Sequence, residues 1–210
     1  MDAAAIARPL PVAHASADAN ATPADATAAT ALAIPVEDPI AGLIQDGRYR
    51  DAVTACASTH GTAVGRVCMA LLGSSADADE AVQETLLRAH RGMSNYRGEG
   101  SVKSWLCGIA RHVCAHMLET RKKQRELLEV VPTDGEAKDV FLARRRARVV
   151  RDALAKLKPS EREALVLRYV SDLSHRELAV ATNLDEPTAR KRVSRALANL
   201  RRVLPDEELE

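Results

Sequence analysis

Arg190, Lys191, Arg192, Arg195, Arg201 and Arg202 lie in one stretch whose only acid is Glu186. Guanidinium forks donate paired hydrogen bonds to phosphate oxygens and guanine edges, so the chemistry on offer is recognition of nucleic acid. The stretch is built to be a helix. Asp185 can cap it, Pro187 falls in the first turn where a missing amide costs nothing, and Thr188 to Leu200 contains no breaker. Ahead of it, Ser174 and Glu177 have capping-box spacing, Leu178, Ala179 and Thr182 recur at helical spacing, and Asn183 suits the left-handed corner of a tight turn. Ser160 and Glu163 repeat the box spacing and predict an earlier helix start. The pattern is a helix-turn-helix whose second helix could enter a major groove. A basic helix is also commonly a solvated face, so the arginines need the rest of the chain for support.

Three other constellations could carry chemistry. Asp79, Glu80, Gln83 and Glu84 fall within two helical turns, with 79–83 and 80–84 as i,i+4 neighbours, an acidic face suited to a basic partner or simply to solvent. Asp77 and Glu80 have the spacing of a capping pair at the start of that helix. Asn95, Tyr96, Arg97, Gly98 and Gly100 form a loop that combines a ring, a guanidinium and close backbone approach, the ingredients for stacking on unpaired bases. Trp105 follows on a helix capped by Ser101, either as a core anchor or as a further stacking ring. Cys107, His112, Cys114 and His116 invite a zinc reading. At about 100° per residue, however, Cys114 lies about 20° from Cys107 while His112 and His116 lie about 140° and 180° away, so one ion cannot reach both pairs on an unbroken helix. Buried thiols are the favoured reading, with metal or thiol sensing as the alternative. No phosphate loop, nucleophile elbow or pocketed carboxylate pair appears, so neither catalytic residues nor a metal or other cofactor is expected.

The elements that must carry these groups follow from composition. Aromatic residues are 2% of the 210, leaving Ala, Leu and Val to build the core, which favours packed helices. Lys and Arg number 30 against 29 Asp and Glu, so the positive charge is local rather than global. Residues 1–36, rich in Ala, Thr, Pro and Asp, are expected to be a disordered extension. Globular composition begins near Glu37, where Leu43, Ile44, Val53, Val64, Val67, Met69, Leu71 and Leu72 can form a helical hairpin; the helix after Ser101 is expected to reach about Lys123. Residues 124–139, holding Pro132 and Gly135, look like a flexible linker to a second helical domain at 140–205, and 206–210 form an acidic tail. The fold expected is all-α, with two small helical domains. No stretch approaches a membrane span and no secretory leader is evident, so a cytoplasmic protein with reduced cysteines is expected.

In this order the pieces resemble the extracytoplasmic-function (group IV) sigma factors of the bacterial sigma-70 family, over roughly Ile40 to Leu204. Three motifs carry the resemblance. Asp77-Ala78-Asp79-Glu80-Ala81-Val82-Gln83-Glu84-Thr85 resembles the helix that grips core RNA polymerase. Tyr96-Arg97-Gly98-Glu99-Gly100-Ser101, running into Trp105-Leu106-Cys107-Gly108-Ile109-Ala110-Arg111, resembles the region that opens promoters and reads the −10 element. Leu157-Lys158-Pro159-Ser160-Glu161-Arg162-Glu163 through Arg195-Ala196 resembles the −35-reading domain.

The resemblance implies a sigma factor for transcription initiation, with region 2 at 37–123 and region 4 at 140–205. It implies core binding by Asp79, Glu80, Gln83 and Glu84, and −10 recognition by Asn95, Tyr96, Arg97, Trp105, Arg111, His112 and His116. Recognition of −35 falls to Thr188, Arg190, Lys191, Ser194 and Arg195. Core polymerase and promoter DNA, duplex and melted, are the implied partners, and an anti-sigma factor is a further one. The chain departs from the family's common glycines at Asn183 and Pro187, and carries His112 and His116 where relatives often have Asn or another polar group. A stand-alone helix-turn-helix regulator and a metal- or redox-sensing protein are the competing functions.

Overall fold

A computed structural model of the chain describes residues 38–128 and 141–204. The expected N-terminal extension and acidic tail lie outside those residues. Eight α-helices are present among them: α1 Pro39–Gln45, α2 Tyr49–Leu72, α3 Ser75–Gly92, α4 Val102–Leu128, α5 Phe141–Ala155, α6 Pro159–Leu165, α7 His175–Thr182 and α8 Glu186–Val203. A 3-10 turn, Met93–Asn95, follows α3, and a π-helical turn, Val166–Val170, follows α6. No strand occurs among the described residues, in keeping with the all-α expectation.

Local chemistry explains most of the boundaries. Gly73, at φ 75°, ends α2 by donating its N–H to the Met69 carbonyl, a left-handed closure that glycine adopts without a Cβ penalty. Ser74 then caps α3 by accepting from Asp77 N–H, so the capping residue lies three positions before the expected Asp77. Asp77 instead pairs with Arg121 of α4. Ser101 accepts from Ser104 N–H at 3.2 Å and caps α4 as expected. That helix runs to Leu128, beyond the expected end near Lys123, because Gln124-Arg125-Glu126-Leu127-Leu128 are strong helix formers. The rest of the expected linker, 129–139, lies outside the described residues.

In the C-terminal part, the Ser174–Glu177 box is fully formed and Asn183 turns the chain at φ 54°, ψ 51°. Asp185 accepts from Thr188 N–H at 2.6 Å, with Pro187 in the first turn. The second expected box is absent. Lys158 precedes α6 without a side-chain cap and Pro159 opens the helix, which leaves Ser160 inside it and Glu163 free to bond elsewhere.

Helices α2, α3 and α4 pack together around Val64, Val67, Met93, Val102, Leu106 and Val113, all 0–1% exposed. Helices α6, α7 and α8 enclose Leu165, Leu178, Ala189, Val193 and Ala196. The two groups share one continuous apolar core, joined where α4 meets α7 and α2 meets the π-helical turn. The sequence predicts two separate domains; their mutual packing is a finding of the structure.

Candidate nucleic-acid interface

Helix α8 separates its roles by face. Ala189, Val193 and Ala196 are buried, while Thr188, Arg190, Lys191, Ser194 and Arg195 are all exposed. The spacing explains the division: at about 100° per residue the buried three cluster within ~60° and the other five fall on the opposite arc. Arg190 is tethered to Glu186 one turn back at 2.8 Å, whereas Arg195 has no ion-pair partner among the described residues. The Asp185 carboxyl, which accepts from the Thr188 hydroxyl and N–H, is held below its usual range by those bonds. The result is a stiff basic edge at the start of α8, braced by α7.

The loop before α4 is also pre-shaped. Tyr96 and Trp105 rings meet with centroids 5.1 Å apart at 55°, an edge-tilted geometry that aromatic pairs favour. Tyr96 Oη donates to the Gly100 carbonyl at 2.8 Å, which fixes the loop's span. Gly98 sits at φ 69°, a conformation that suits glycine. Asn95 and Arg97 project outward, Arg97 only 3.8 Å from the equally exposed Glu99. Trp105 is half-buried, with a ring atom 3.7 Å from where a Gly92 Cβ would stand. It both anchors the loop and keeps some ring surface accessible.

Other residues of the expected −10 set are dispersed. Arg111 turns away from the loop to pair with Glu163 of α6 at 3.1 Å, both side chains 15% exposed. Its Nη2 also donates to His112 Nε2 at 2.8 Å. Burial, then the Arg111 and Arg88 charges, lowers the His112 pKa below the ordinary histidine value and favours the neutral ring that accepts this bond. His116 lies with Glu80, Gln83, Glu84, Leu87, Arg88, Val113 and Met117 around a groove between α3 and α4. The structure therefore brings His116 to the acidic face rather than to the loop.

On that face Asp79, Glu80 and Gln83 are exposed, and Glu84 is half-buried with its carboxylate 2.6 Å from Arg88 Nε. The apolar residue missing from the sequence reading is Leu87, 53% exposed beside them. Its signal was available: it lies at i+3 and i+4 from Glu84 and Gln83 on the same face.

The four cysteines are buried and unbridged. Burial pushes the Cys56 and Cys107 thiols up to about 11. Cys114 hydrogen-bonds Cys68, and that bond together with burial raises the Cys114 thiol above its usual range. Cys107 instead bonds Ser171 beyond α6. Among the described residues no group of three or more His, Cys, Asp and Glu converges on a metal-sized site. Nor is any described helix long and apolar enough to cross a membrane.

Residues 56–125 match the family described as Sigma-70 region 2, and residues 147–200 match Sigma-70, region 4. Together these cover more than half of the chain and define its class. The ECF RNA polymerase sigma factor SigM of Mycobacterium tuberculosis is 32% identical over 133 residues, 62% of this chain and 66% of SigM. SigC of the same species is 33% identical over 138 residues, 61% of this chain and 70% of SigC. The structure of CnrH in complex with the cytosolic domain of CnrY aligns at TM-score 0.61 and 21% identity, covering 79% of this chain and 94% of that one. The sigma factor RpoE of Bartonella quintana, co-crystallised with the anti-sigma factor NepR, aligns at 0.50 and 24% identity, covering 68% and 89%. The chain belongs to the extracytoplasmic-function RNA polymerase sigma factors.

Proposed function

We propose that this chain is a promoter-specificity subunit: it binds core RNA polymerase, recognises −10 and −35 elements and promotes strand opening. The observation that carries the reading is the sorting of α8, whose Thr188, Arg190, Lys191, Ser194 and Arg195 all face outward opposite a buried Ala189, Val193 and Ala196 within the matched region 4. Phosphate contacts by such a helix position the protein, and base-edge contacts specify the sequence. At the −10 element the exposed Asn95 and Arg97 and the Tyr96–Trp105 pair offer stacking and donor groups to an unstacked strand, with Arg111 and His112 as further contacts. A flipped base captured there offsets the cost of unstacking. Bond formation and its metal ions belong to the polymerase, so the chain needs no catalytic residue of its own.

On this reading the face of Asp79, Glu80, Gln83 and Glu84, with Leu87 at its centre, meets core polymerase. CnrH and RpoE were each solved with a bound protein, and RpoE's is an anti-sigma factor. An anti-sigma partner is accordingly proposed for this chain, as is a cytoplasmic location beside the polymerase.

Transcription from supercoiled promoter DNA by core polymerase, with and without the chain, tests the function. Added chain should give initiation at discrete start sites; duplex binding without any initiation would instead indicate a stand-alone helix-turn-helix regulator. Asp79→Arg combined with Gln83→Ala should reduce retention on immobilised core, while the helical circular dichroism is unchanged because both side chains are exposed. Undiminished retention would remove this face from the interface.

A further inference from the structure

Promoter recognition uses none of the four cysteines, and their placement in the core is uneven. Cys68 on α2 and Cys114 on α4 meet where those helices pack, 0% and 1% exposed, with a hydrogen bond between their sulfurs. Two thiols already in contact across packed helices need only a small approach to reach the ~2 Å of a disulfide. The other two cysteines have no such partner. Cys107 shares α4 with Cys114 but lies about 10 Å along its axis, beyond the roughly 7 Å between Cα atoms that a disulfide tolerates, and its side chain bonds Ser171. Cys56 lies about 18 Å along α2 from Cys68.

The contact also orders the two sulfurs. Cys114 donates and Cys68 accepts, which holds the proton on Cys114 and lowers the Cys68 thiol below its ordinary range. We infer that Cys68 and Cys114 form a modification site for hydrogen peroxide, with Cys68 as the attacking sulfur and Cys114 as the resolving one. The Cys68 thiolate attacks one peroxide oxygen and the O–O bond breaks. Cys68 becomes a sulfenic acid, and the departing hydroxide takes up the proton that Cys68 had lost, giving water. The Cys114 sulfur then attacks the Cys68 sulfur, the S–O bond breaks, and the Cys114 proton leaves with the hydroxyl as a second water. Two electrons pass from the sulfurs to the peroxide, and the product is a disulfide that staples α2 to α4. Peroxide is neutral and close to water in size, so a local opening of the core admits it.

The test treats the native full chain with hydrogen peroxide, alkylates the remaining thiols in denaturant and maps linked peptides by mass spectrometry. The chain should lose two hydrogens, the Cys68 and Cys114 peptides should be joined, and dithiothreitol should restore both thiols. Oxidation should raise the thermal midpoint by about 5 °C or more, because the bond closes a long loop in the unfolded chain. Cys56→Ala and Cys107→Ala should respond like the parent, whereas Cys68→Ala and Cys114→Ala should show no rise. With its resolving sulfur removed, Cys114→Ala should halt at a sulfenic acid on Cys68 that dimedone traps, while Cys114 in Cys68→Ala stays unlabelled.

A native chain in which Cys68 and Cys114 both remain open to alkylation after peroxide would overturn the site. So would a predominant link through Cys56 or Cys107, or a bond that forms only in denaturant, since the preformed contact would then play no part. Dimedone on Cys114 in Cys68→Ala, at the yield expected of Cys68, would overturn the order of attack. If either alanine variant does not fold, the peptide map and midpoint of the parent decide the pairing by themselves, and Cys114→Ser carries the trapping.

Discussion

Leu178→Ala is expected to destabilise the helix-turn-helix by about 2–5 kcal/mol, the range for removing a fully buried leucine side chain and leaving a cavity. Leu178 is 0% exposed on α7 and belongs to the core that includes Ala189, Val193 and Ala196 on α8. The small alanines in that core have no long side chains to swing into the gap, so little collapse will recover the loss. Denaturant unfolding followed by circular dichroism should show the midpoint fall, with Leu178→Met costing less than about 1.5 kcal/mol because it conserves volume. Duplex binding should weaken in parallel, since α7 braces the basic helix. A Leu178→Ala protein within about 0.5 kcal/mol of the parent, the range of an ordinary surface change, would mean that α7 does not pack as described.

Arg195→Ala should cost about 1–3 kcal/mol in specific duplex binding if its guanidinium reads a base edge. The side chain is exposed and has no acid partner among the described residues, so truncation removes little from the free protein and the loss falls on the complex. Arg190 provides the internal contrast, because its bond to Glu186 must be given up before it can engage DNA. Competition between promoter duplexes altered at single −35 positions distinguishes the modes. A base contact relaxes preference at one position. A phosphate contact weakens every sequence alike and lowers the salt slope by about one. The second pattern would demote Arg195 to positioning.

What was legible in the sequence was local. The Ser174–Glu177 box, the Asn183 corner and the Asp185 cap are decided within four residues of chain, and each formed as its spacing implied. The face of Asp79, Glu80 and Gln83 followed from helical periodicity alone. Ser160 and Glu163 misled because Pro159 took the first helical position and Glu163 found Arg111, a partner 52 residues distant. Ser101 and Glu177 are 76 residues apart. No spacing rule reaches that far, so the packing of the two helical groups, and with it the diversion of Arg111 from the loop, could not be read. One trace of it was present: Gly108, with no turn or cap to explain it, sits in the interior of a strong helix, where a Cβ would stand 3.1 Å from the Ala181 carbonyl oxygen.

Glu177 divides its carboxylate between two tasks. One oxygen receives the Ser174 N–H and hydroxyl at the start of α7, and the other receives Ser101. The cap at the start of α7 therefore needs this residue whether or not the contact with α4 is kept. Lineages that abandon the contact are expected to keep the glutamate and to diverge at Ser101 and Gly108 instead, so the history of the interface will be written in α4 and its entry loop.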